Sequence, residues 1–133
     1  MIDKENEVYT RVRERVLQEF PEATMDSSYQ PVPSGFPHIT LYQGDASVPQ
    51  SLLDTSTHPK FESLMFDVQV YSNKTNWKKQ ECKQIMEIID TALSEMNMRR
   101  ISLTPVPNLN DASIYRLAAR YEVTVDAGGF YRR

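Results

Sequence analysis

The sequence predicts an α+β fold: a two-layer sandwich in which a mainly antiparallel sheet carries two helices packed on one face. Three observations lead there. Apolar residues recur at helical spacing in two segments, 3–20 and 77–97. They alternate with polar residues at 61–71 and 115–125, with shorter strand patterns at 38–42 and around Ile101 and Leu103. The resulting order is helix, strand pair, helix, strand pair, with turn-forming residues between the elements.

In the first helix Val8, Tyr9, Val12, Val16, Leu17 and Phe20 line one face, and Pro21 ends it, because proline lacks the N–H a helix interior needs. A polar stretch around Ser27 and Ser28 follows, and PVPSGFP (31–37) reads as a loop into the short strand HITLY. Gly44 to Pro59 reads as an exposed polar loop. Leu64, Phe66, Val68 and Val70 alternate against Met65, Asp67 and Gln69, so one side chain in two enters a core. In SNKTNW, Asn73, Thr75 and Asn76 are candidate N-caps for the second helix, which gathers Ile85, Ile88, Ile89, Ala92, Leu93 and Met96 on one face. After a strand with Ile101 and Leu103, PVPNLND makes a turn. The chain returns with Tyr115, Leu117, Ala119, Tyr121, Val123 and Val125 on one side and Arg116, Arg120, Glu122 and Thr124 on the other.

At 133 residues the chain fits one domain, 1–133. No apolar run approaches the roughly 18 residues a membrane span needs, and the polar, acidic start MIDKENEVYT resembles neither a signal nor a transit peptide, so synthesis and assembly in the cytoplasm are expected. A net charge of -3 speaks against dedicated nucleic-acid binding, which requires clustered cations to neutralise phosphates.

Catalytic chemistry finds weak footing. PHITL (37–41) places His38 in a His-x-Thr pattern, half of the motif of two-histidine phosphoesterases, but His58 lies in THPKF with Lys60 where the second hydroxyl residue would stand. A small phosphodiesterase using His38 with converging carboxylates is therefore the rival reading, against a strand histidine bonded to its surroundings. Cys82 is the one cysteine and has no disulfide partner in the chain, and the two histidines show no zinc-ligand spacing. Among four glycines there is no phosphate loop. No catalytic residue, cofactor or metal is expected. Arg116 and Arg120, four apart on one strand face, support two readings: cross-strand pairing with Glu122 or a neighbouring carboxylate, or a contact surface, since arginine and tyrosine are enriched at interfaces. In GGFYRR (128–133) the glycines release the backbone, and Phe130, Tyr131, Arg132 and Arg133 are expected to contact a partner rather than the core.

Three runs carry a resemblance: FPHITLYQGD, then FDVQVYSNKTNWKKQECKQIMEIIDTALSEMNMRR, then PVPNLNDASIYRLAARYEVTVDAGGFYRR. Over residues 36–133 they resemble the tail terminator, or tail-to-head joining, proteins of long-tailed phages and prophages of Gram-positive bacteria. The resemblance implies a non-enzymatic virion protein, assembled in the host bacterial cytoplasm. It implies a homo-oligomeric ring, a hexamer, capping the tube of major tail protein and offering a surface to the head connector or neck protein, with phage DNA passing through the ring without sequence-specific contact. Another head–tail connector or neck adaptor is the alternative within the same assembly.

Overall fold

The computed structural model describes residues 4–28, 33, 35–47, 62–107, 113–126 and 129–131. Two helices, α1 (Glu5–Glu19) and α2 (Lys78–Glu95), accompany six strands: β1 (Thr24–Asp26), β2 (His38–Ser47), β3 (Glu62–Ser72), β4 (Arg99–Pro105), β5 (Tyr115–Asp126) and β6 (Gly129–Tyr131). The sheet order is β1-β2-β3-β5-β4, with β6 also paired to β5. All pairings are antiparallel except β1 with β2. This is the predicted α+β architecture.

The core lies between one face of the sheet and the two helices. From α1 it takes Val8, Val12 and Val16, spaced four apart so that they stack on one side of the helix; Tyr9 and Phe20 pack partly against them. From α2 come Cys82, Ile85, Met86, Ile89, Ala92 and Leu93, all buried. β3 contributes Leu64, Phe66, Val68 and Val70, which register opposite Val123, Tyr121, Ala119 and Leu117 of β5. Each fully buried side chain of this size stabilises the fold by roughly 1.5–3 kcal/mol relative to its exposed state.

α2 ends in a Schellman motif. Asn97 takes a left-handed φ of 66°, its N–H bonds to the Ser94 carbonyl, and the Met98 N–H reaches back to the Leu93 carbonyl, both at 3.0 Å. Met98 buries its side chain beside the helix, the apolar contact that accompanies such an ending.

The structure corrects three expectations. Asn73, Thr75 and Asn76 do not cap α2: its N-cap is Trp77, and no side chain caps it. Gly44 does not begin a loop, because β2 runs on to Ser47 through a register shift between Gln43 and Asp45. A Cβ at Gly44 would meet the Asp67 carboxylate, so a larger residue at the bulge would displace that side chain. The chain after Asp126 also turns back: Gly129–Tyr131 forms β6, with Phe130 opposite Val125 and Tyr131 opposite Thr124 in the register.

Candidate interaction surface

The helices cover one face of the sheet and leave the other to a lattice of polar side chains. Alternation dictates its membership: Thr24, His38, Tyr71 and Arg116 follow one another across β1, β2, β3 and β5, and Gln69, Asp67 and Arg120 continue along β3 and β5. Arg120 donates Nε–H to Asp67 Oδ1 at 2.9 Å. Arg116 donates Nε–H to Gln69 Oε1 at 2.7 Å, and the same oxygen accepts the Tyr71 hydroxyl at 2.9 Å. The Arg116 guanidinium also stands 5.7 Å from the Tyr71 ring centre, within cation–π range.

Both arginines therefore bond across strands. Arg120 pairs with a carboxylate on the neighbouring strand, as one of the two sequence readings has it, but the residue is Asp67; Glu122 pairs instead with Arg99 of β4. The Arg120 side chain stays 53% exposed, so it can meet a further partner while bonded to Asp67. Sequence reasoning missed Gln69 and Tyr71, because only the β3–β5 register reveals that they meet Arg116. Of the other candidate contact residues, Phe130 and Tyr131 are placed by the backbone of β6, whereas Arg132 and Arg133 lie outside the described residues.

His38 sits at the far end of this lattice. It is buried, and its ring lies tilted 5.8 Å from the Tyr71 ring. Nδ1 and the Thr24 hydroxyl share a hydrogen bond of 2.6 Å. The Thr24 hydroxyl also lies 3.3 and 3.5 Å from the carbonyl oxygens of Gly35 and Pro37. Among the described residues, Nε2 is buried without a hydrogen-bond partner, as are the hydroxyls of Thr40 and Thr124 on the same face. Burial holds the His38 pKa below its usual value, against the pull of nearby Asp26. His58, the other half of the phosphoesterase comparison, lies outside the described residues. Among the described residues no group of three or more histidine, cysteine or acidic side chains is arranged to hold a metal ion.

Cys82 is equally enclosed. Its thiol faces the carbonyls of Val70 and Tyr115 at 3.5 and 3.6 Å, and burial, with the Glu81 charge beside it, pushes its pKa up to about 12. At neutral pH it is a packed thiol, not a nucleophile. Burial, reinforced by the Asp90 carboxylate that accepts its hydroxyl at 2.8 Å, likewise raises the Tyr121 pKa.

No protein-family model and no curated protein matches the chain. Among solved structures it is similar to a chain of one described as "Virion of native gene transfer agent (GTA) particle", with a TM-score of 0.56 and 13% identity over 90% of this chain and 91% of that one. At this identity the likeness shows a shared fold, and it runs nearly end to end in both chains.

Proposed function

We propose that this chain is a structural protein of a phage-type virion, a tail terminator that caps the tail tube as a hexameric ring and joins it to the head connector. The observation that carries the reading is the near end-to-end fold likeness to a chain of a gene transfer agent virion. The runs FPHITLYQGD, VYSN and RYEVTVD support the narrower assignment through their resemblance to terminator proteins.

The described surface suits a contact role. A polar lattice with Arg116 and Arg120 on the sheet face opposite the helices offers charged groups to a neighbour at small entropic cost, since each guanidinium is already held by Gln69 or Asp67. In this role the protein works without catalysis, metal or cofactor. Its partners are copies of itself, the major tail tube protein and the neck protein, and its place is the virion neck. A neck adaptor on the portal side is the closest competitor, and position decides between them. Gold labelling of a tagged chain in purified particles and in free tails is expected to mark the head-proximal end of both. Label on free heads and none on free tails would transfer the protein to the portal side, and no label on any particle would reject a virion role.

A further inference from the structure

Ile101 and Leu103 are the large apolar side chains that the described surface leaves in water, 46% and 37% exposed. Both stand on β4, an edge strand whose seven residues are all exposed. A bare edge ordinarily invites another strand. This one is blunted: its register slips between Arg100 and Ser102, Pro105 has no N–H to give, and two arginines open it. The edge is poorly suited to a backbone ladder, yet it keeps two apolar groups exposed. That combination fits a contact made by side chains.

A complementary surface lies on the helix layer. Where the end of α1 passes the middle of α2, a groove of about 420 Å³ is lined by Glu19, Phe20, Gln84, Glu87, Ile88 and Thr91. Phe20 and Ile88 are partly buried against the core and give the groove an apolar floor, while Glu19 and Glu87 are exposed at its rim. The cation one helical turn before Glu19, Arg15, is occupied by Glu95 at 2.6 Å. The groove thus joins a small apolar floor to two rim carboxylates, with exposed Lys83 one helical turn before Glu87, and the β4 edge is apolar and basic. Arg99 and Arg100 pair within the chain with Glu122 and Asp90, but their side chains remain 67% and 43% exposed, with donors to spare on each guanidinium.

We propose that the Ile101–Leu103 edge of one copy seats in the α1–α2 groove of the next, with Arg99 and Arg100 facing Glu19 and Glu87. The inference rests on the ring reading above and supplies its contact. Because the two patches are different surfaces of one chain, the contact is head-to-tail, the type that propagates and closes into a ring.

The test mixes full-length Ser102→Cys with full-length Gln84→Cys, which border the contact and leave Ile101, Leu103, Glu19 and Glu87 in place, and adds a short bismaleimide; buried Cys82 does not compete. The 102–84 heterodimer is expected in several-fold excess over either homodimer. Adding Glu19→Lys and Glu87→Lys to the groove copy should cut that yield several-fold, and adding Arg99→Glu and Arg100→Glu to the edge copy should restore it, with unchanged circular dichroism showing that the variants fold. A heterodimer no more abundant than the homodimers, or a yield indifferent to the charge changes, overturns the contact. Electron microscopy of the unmodified protein on tail ends separates two failures: rings without the 102–84 product refute this contact alone, and tails without rings refute the reading beneath it as well.

Discussion

Ser72 and Glu81 are joined by a buried hydrogen bond of 2.6 Å, the hydroxyl at the end of β3 donating to the carboxylate in the first turn of α2. The Ser72 oxygen also accepts the Lys74 N–H at 3.3 Å, and the Lys74 ammonium lies 4.7 Å from the Trp77 ring centre. With no side chain capping α2, this pair fixes the start of the helix to the strand before it. Glu81→Ala leaves the Ser72 hydroxyl buried without its acceptor and is expected to cost about 1–3 kcal/mol. Glu81→Gln keeps an acceptor oxygen and should cost less. Urea unfolding of the two variants checks the order; equal losses would mean that the bond contributes nothing specific.

His38 makes stability depend on pH. Its folded pKa is depressed by burial, so below the ordinary histidine range the unfolded chain binds a proton that the folded chain resists. The stability it contributes is present above the unfolded pKa of about 6.5 and is lost as pH falls through the folded value. Between pH 7.5 and 5.5, the urea midpoint of the native protein should fall more steeply than that of His38→Gln. Parallel profiles would show that His38 titrates as in water.

Arg116→Ala with Arg120→Ala removes two cross-strand bonds from the sheet face opposite the helices. The Arg120–Asp67 pair is worth about 0–1 kcal/mol at such exposure, and the Arg116–Gln69 bond about 0.5–1.5 kcal/mol. Melting should drop modestly, while the yield of joined particles falls sharply if the lattice meets a neighbour. A large melting loss with normal joining would make the pair internal scaffolding.

Removing residues 128–133 deletes β6, which pairs Gly129–Tyr131 with Thr124–Asp126. Loss of this short ladder should cost about 1–2 kcal/mol, a small effect beside that of a core substitution. Particle production is expected to fall further than stability does, because Phe130, Tyr131, Arg132 and Arg133 are proposed contacts. Full infectivity from the truncated protein would remove them from that role.

The elements most legible in the sequence are those that bury one stripe. α2, β3 and β5 each present a regular face to the core, so periodicity locates them to within a residue or two. β1 pairs through three residues, too few for any alternation to register, and the sequence reading assigns no element there. β2 outruns its apolar pattern at Gly44, where the register shifts and no side chain marks a face. Ile101 and Leu103 read as an ordinary half-buried strand, and only the sheet order places them at an edge beyond the helices' cover. Arg116 and Arg120 were visible as candidates. Their partners Gln69, Tyr71 and Asp67, some 50 residues away in sequence, follow from strand register, which a sequence pattern does not fix.

Deleting the gene and imaging the resulting particles tests the central claim most directly. The account predicts DNA-filled heads and separate tails, with tubes of uncontrolled length, and joined particles of normal length once the gene is supplied in trans. Joined, infectious particles with tails of normal length in the deletion strain would contradict it.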